Sequence, residues 1–205
     1  MTDFTNTGQN QPTQLKKQTK AYITIAIIAA NTTAMRLFIA INLNEEMKDA
    51  LIDIQDTMRT YGIRGKDTPP ENMHLTLAFI GEYDDPERVK EVVESIEIRP
   101  FEMKLKGIGA FRDLWWVGTE NSAPLMAISR RLRRALAEAD IPFDKKKFSP
   151  HITVIRRANG TLSAEAADEI AANAIMEHGG VSMHVDHISL MRSDRGKYGM
   201  IYTEL

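Results

Sequence analysis

The chain has 205 residues, 43% hydrophobic and 26% charged, with a formal net charge of −2. That suits one compact domain or two small lobes sharing a core, and bulk charge demands neither a nucleic-acid nor a membrane partner. The absence of cysteine excludes disulfides, a thiol nucleophile and thiolate metal sites, and a cytoplasmic home is expected.

Residues 1–20 are polar and without apolar period. The apolar run AYITIAIIAA, 21–30, falls short of the roughly 20 residues that span a bilayer. Behind Lys16, Lys17 and Lys20 it has the layout of a weak signal sequence. Residues 1–34 are read as an N-terminal extension, disordered or a leader, and the folded domain is expected over 35–205.

RLFIAINL (36–43) reads as a buried strand. Asn44 can cap a helix over 45–61 with Met47, Leu51, Ile54 and Met58 inward, stopped at Gly62. The stretch GIRGKDTPPEN reads as a loop, because Pro69-Pro70 excludes helix. A strand over 73–80 closes at Gly81, and Asp85-Pro86 opens a helix bearing Val89, Val92, Val93 and Ile96. FEMKLKGI (101–108) alternates as a strand, followed by a second, LWWVGT (114–119). One tryptophan of Trp115-Trp116 must face the core, so the pair is read as mainly structural. Ser122 opens a third helix, whose Arg130, Arg131, Arg133 and Arg134 form a solvated face. A strand over 150–156, an Ala-rich helix after Ser163, and strands over 181–191 and 198–204 complete the chain.

The order β-α-β-α-β-β-α-β-α-β-β repeats one unit. It implies an α+β fold of duplicated β-α-β lobes, approximately 35–110 and 111–205, related by a pseudo-two-fold axis. Two antiparallel sheets would face one another across a central cleft, with helices outside.

Each half carries a polar pair inside an apolar strand: His74-Leu75-Thr76-Leu77 and His151-Ile152-Thr153-Val154. Alternation puts each His and Thr on one face and the apolar partners on the other. Brought together across the cleft, two imidazoles and two hydroxyls suit displacement at phosphorus. Neutral and protonated imidazole coexist around an ordinary pKa of ~6.5, giving base and acid. The hydroxyls can hold non-bridging oxygens, and in-line geometry needs acid and base on opposite sides. No metal or cofactor is required. Arg156 or Arg157 can neutralise the phosphate. Strict parity puts Ile155 and Arg157 on the His151 face and Arg156 on the other, unless a bulge intervenes. His184 and His187, three apart on an expected strand, face opposite ways, so a metal site with His178 is not expected.

On MRLFIAINL, NMHLTLAFIGE, FSPHITVIRR and LMRSDRGKYGMIYTEL, residues 35–205 resemble the 2H phosphoesterase superfamily. Within it they look most like the RNA 2′,3′-cyclic phosphodiesterases, historically called 2′-5′ RNA ligases. The resemblance implies that His74 protonates the departing ribose 3′-oxygen, His151 activates water, and Thr76 and Thr153 hold the phosphate. It selects Arg156 as the phosphate-binding arginine and gives Phe38 a stacking role on the terminal base. The expected partners are RNA ends or nucleotides bearing 2′,3′-cyclic phosphate, handled by a monomer with no membrane contact. HITVIRR departs from the family pattern at Val154 and Ile155, and Ile155 is expected by parity to crowd the cleft. Two alternatives are a non-catalytic RNA-end-binding module and a related enzyme acting on a small cyclic nucleotide or a 2′-5′ linkage.

Overall fold

The structure is a computed structural model describing residues 34–120 and 123–205; the extension over 1–33 and the expected cap at Ser122 lie outside the described residues. β1 (Met35–Asn42) leads into α1 (Glu45–Thr60), where the Asn44 side chain accepts from the Met47 N–H at 3.0 Å. After α1 come β2 (Arg64–Asp67), a 3-10 turn over Pro70–Asn72, and β3 (His74–Tyr83). α2 (Pro86–Glu94) starts on the expected Asp85 cap and Pro86, but ends before Ile96. β4 (Phe101–Phe111), β5 (Leu114–Thr119) and α3 (Ala123–Glu138) precede β6 (Ile152–Asn159) and α4 (Ala164–Glu177). The chain closes with β7 (Ser182–Val185), β8 (Ser189–Arg195) and β9 (Met200–Glu204). Among the described residues no helix is long and apolar enough to cross a membrane.

Two expectations change here. The loop expected over 62–72 contains β2, which pairs with β6. The single strand expected over 181–191 is two strands at opposite ends of the sheet, β7 beside β4 and β8 beside β1. Local pattern cannot show a strand changing sheets, because each piece alternates as a strand should.

The sheet order is β7-β4-β5-β6-β3-β1-β8-β9, with antiparallel pairing throughout. It has the pseudo-two-fold character expected of a duplicated α+β fold. β6 corresponds to β3, β5 to β1, and β4 to β8. The two sheets meet through a single registered pair, Leu75 with Ile152, and so form one path. The lobes do not coincide with 35–110 and 111–205. β4, from the first half, lies beside β5 and β6, whereas β8 and β9 complete the β3–β1 side. The helices also exchange: α1 packs on α4, β6 and β7, and α3 packs on β3 and α2. A helix buries its apolar stripe on whichever face is open, and the sheet behind each β-α connection is already extended by other strands.

Each His-x-Thr-x motif ends in a β-bulge. Across β1 and β3, Ile39 faces Ala78 and Ala40 faces Thr76, leaving Leu77 as an extra residue. Across β5 and β6, Trp115 faces Ile155 and Trp116 faces Thr153, leaving Val154 extra. A bulge turns two successive side chains the same way. Leu77 and Ala78 are both buried, as are Val154 and Ile155. Ile155 therefore lies in the core and does not crowd the cleft, and the residue after it returns to the cleft side.

Gln55, on α1 and only 4% exposed, braces the second bulge. Its side-chain amide donates to the Val154 carbonyl at 2.7 Å and the Thr68 carbonyl at 2.9 Å. The Thr68 N–H also donates to the Val154 carbonyl, at 2.8 Å. Gln55→Leu removes both side-chain bonds and leaves the Thr68 carbonyl unpaired. Urea denaturation is expected to show a loss of about 1–3 kcal/mol; an unchanged midpoint would refute the brace.

Candidate active site

The Leu75–Ile152 register sets the cleft floor. Continued by one antiparallel step each way, it puts His74 opposite Thr153 and Thr76 opposite His151. The imidazoles then occupy diagonal positions, with Cα atoms about 7–8 Å apart on regular geometry. A hydroxyl, of Thr76 or Thr153, stands at each remaining corner.

Both imidazoles are oriented in the same way. The His74 Nδ1–H donates to the Asn72 carbonyl at 2.9 Å, and the His151 Nδ1–H to the Ser149 carbonyl at 2.7 Å. A carbonyl can only accept, so Nδ1 carries the proton and Nε2 is left for chemistry. The chain prepares these carbonyls locally. Pro69-Pro70 builds the turn that presents Asn72, whose side chain also donates to the Met200 carbonyl at 2.8 Å. Pro150 holds Ser149 extended. The Thr76 hydroxyl donates to His74 Nε2 at 3.0 Å.

The surroundings of the two rings differ. His74 lies against Phe38 and Tyr202, with ring centroids 4.8 and 5.2 Å away. Burial beneath these rings lowers its pKa to about 4, despite the bond to Asn72. Arg156 and His151 lower it further by charge repulsion. His151 meets Phe111 edge-on at 5.3 Å and Trp116 at 6.2 Å. Phe38 is only 3% exposed and packs with Ala40 and Met191. Phe38, expected from the resemblance to stack on a terminal base, here forms the wall behind His74.

Arg156 is exposed on the cleft side, close enough for its charge to act on His74. The Val154 bulge accounts for this, since it reverses the parity that favours Arg157. Arg157 has φ +51 and lies beyond the reversal. Sequence alternation missed this because a bulge leaves no mark of its own in an apolar pair. The equivalent position after the first motif is Phe79, under the Arg36 guanidinium at 4.7 Å from the ring centroid, so only the second motif supplies a cation here. Arg156 and Arg157 also line a cavity of about 400 Å³ with Lys66, Lys197, Tyr198 and Tyr202; Lys66 and Tyr202 were not singled out from sequence. The other histidines are separate: His178 bonds Asp53 at 2.6 Å, and His187 bonds Asp186 at 2.6 Å.

The lowered pKa of His74 has a direct consequence. Its neutral form is favoured by the fold, so the unfolded chain binds the extra proton between the ordinary value of 6.5 and about 4. Stability is fully retained above pH ~6.5 and falls by up to about 3 kcal/mol as pH drops to about 4. NMR titration should give a His74 midpoint near 4, and His74→Asn should flatten this acid limb of the stability curve. A midpoint at the ordinary value would overturn the burial account.

Comparison with known proteins follows this geometry. Residues 54–197 match the 2′-5′ RNA ligase superfamily. The chain is 30% identical over 180 residues to an RNA 2′,3′-cyclic phosphodiesterase of Methanothermobacter thermautotrophicus, covering 83% of this chain and 96% of that protein. It is 36% identical over 132 residues to one of Thermotoga maritima, covering 60% and 70%. Among solved structures, E. coli LigT in apo form has a TM-score of 0.70 at 25% identity, covering 84% of this chain and 95% of LigT. A Thermus thermophilus protein has a TM-score of 0.66 at 29% identity, covering 83% and 95%. Duplicated fold, paired motifs and these matches agree, and the chain belongs to the 2′-5′ RNA ligase superfamily of 2H phosphoesterases.

Proposed function

We propose that this protein is a metal-independent phosphodiesterase that opens the terminal 2′,3′-cyclic phosphate of RNA to a 2′-phosphate. The observation that carries this reading is the diagonal pair of imidazoles, each with Nδ1 committed to a carbonyl and Nε2 directed to chemistry. The relatives named for the same activity support it.

In the proposed reaction Thr76 and Thr153 hold the non-bridging oxygens and Arg156 offsets their charge. His151 Nε2 takes a proton from water as it attacks phosphorus. His74 gives a proton to the departing 3′-oxygen, leaving the phosphate on the 2′-oxygen. His74 is neutral near pH 7 without substrate, and a docked phosphate anion raises its proton affinity. Phe38 keeps water from the leaving oxygen. The RNA backbone enters through the cavity containing Lys66, Arg157 and Lys197. The protein acts as a monomer in the cytoplasm.

A cyclic-phosphate-ended oligonucleotide incubated in EDTA should yield a 2′-phosphate, and His74→Ala and His151→Ala should each lose on the order of 10² or more in rate. Abolition by EDTA, or full activity in either variant, would defeat the mechanism.

The lowered pKa of His74 favours a second reading in which the two histidines exchange roles. A substrate with sulfur replacing the 3′-bridging oxygen separates them, because a thiolate leaves without an acid. Rescue of His74→Ala by this substrate supports the first assignment; rescue of His151→Ala supports the exchange.

A further inference from the structure

The net charge of −2 hides an uneven distribution. Residues 130–147 hold seven cations against three carboxylates, which leaves the remainder of the chain acidic. Arg130, Arg131 and Arg134 are exposed on α3. Lys145, Lys146 and Lys147 are exposed on the segment that leads to His151. Arg130 and Arg134 stand one turn apart, on the side of α3 opposite the buried Leu125, Ile128, Leu132 and Leu136.

The fold holds these cations on one framework. α3 gives way to Asp140, which takes φ +54, and the buried Ile141 donates its N–H back to the Leu136 carbonyl at 2.9 Å. The Arg133 guanidinium donates to the Asp144 carbonyl at 2.7 Å and lies 5.3 Å from the Phe143 ring centroid. The Asp144 N–H donates to the Phe79 carbonyl at 2.8 Å, which ties the segment to β3. From this anchor the seven residues to His151 reach at most roughly 25 Å. Glu138 pairs with Arg134 at 2.8 Å and Asp144 with Lys146 at 3.3 Å. Among the described residues, Arg130, Arg131, Lys145 and Lys147 have no carboxylate partner.

An unpaired strand is held by bases stacked on aromatic rings as well as by charge. Over α3 and residues 139–150 no aromatic ring is exposed: Phe143 and Phe148 are both half-buried. A base-paired stem turns its phosphates and sugars outward and is recognised by charge and shape. We propose that the outward face of α3 and the 145–147 segment dock the base-paired stem of an RNA whose cyclic-phosphate end lies in the cleft. None of these cations lines the cavity through which the RNA end enters, so this is a second, separate contact. The inference rests on the RNA substrate proposed above. It adds that RNA ends attached to a stem are taken in preference to short ones, whatever the stem's sequence.

The test uses an RNA hairpin with a short unpaired 3′ end and a dinucleotide carrying the same terminal cyclic phosphate. Binding is read by fluorescence anisotropy on the hairpin ending in a 2′-phosphate, which is not turned over. Wild-type protein should bind it with a Kd that rises steeply with salt, and an unpaired strand of the same length about tenfold or more weakly. Arg130→Gln/Arg134→Gln and Lys145→Gln/Lys146→Gln should each raise the hairpin Kd about tenfold or more. Each should also lower the slope of log Kd against log salt by about 2. Their kcat/KM should fall in proportion on the cyclic-phosphate hairpin and stay within about twofold of wild type on the dinucleotide. Arg130→Lys/Arg134→Lys, which keeps the charge, should restore hairpin binding to within about threefold. Equal losses on hairpin and dinucleotide would mark these residues as merely structural and overturn the proposal. No loss on either, or equal binding of the unpaired strand, would also overturn it. Hairpin binding that depends on these cations, in a protein inactive on both substrates, would support the docking face and refute the proposed phosphodiesterase.

Discussion

Two β-bulges decide what faces the cleft. Leu77 and Val154 are each the extra residue at the end of a His-x-Thr-x motif, and each turns the following side chain inward. Without the bulge, Ile155 would point into the cleft and Arg156 would point away. Placing a bare cation in the core is prohibitively costly, and an isoleucine in the cleft would take away its positive charge. The bulge thus joins two requirements of one strand: a continuous core and a cationic cleft. α1 reaches it through Gln55, so a helix from the first half stabilises geometry in the second.

The same junction supplies the active-site plan. One registered pair, Leu75 with Ile152, holds the two sheets together and places the motifs antiparallel. Antiparallel copies of His-x-Thr put unlike residues opposite and like residues on a diagonal. Parallel copies would put imidazole beside imidazole, on one side of the phosphate. The duplicated motif suits the proposed in-line chemistry because of this orientation.

Symmetry is then broken by environment. His74 is enclosed by Phe38 and Tyr202, and burial drives its pKa down. His151 has an open aromatic neighbour, Phe111. The cation after the second motif, Arg156, has Phe79 as its counterpart after the first. Two nearly identical tetrapeptides thereby acquire different surroundings and different access.

Much of this was legible in the sequence. Apolar alternation around His74, Thr76, His151 and Thr153 separated cleft face from core face, because strand side chains alternate whatever surrounds them. The Asn44 and Asp85 caps were legible because a cap is a local hydrogen bond. β2 was not, since a short polar strand gains its place only from pairing with β6. Nor was the exchange of β4 and β8 between the two sides of the sheet, or the burial of Phe38, because both depend on segments distant in the chain. By itself, the sequence determined the chemistry: two imidazoles, two hydroxyls and an adjacent pair of arginines. Tertiary structure alone decided which arginine returns to the cleft side and what surrounds each histidine. A bulge, a packed aromatic ring and a buried pKa are all consequences of neighbours that only the folded chain brings together.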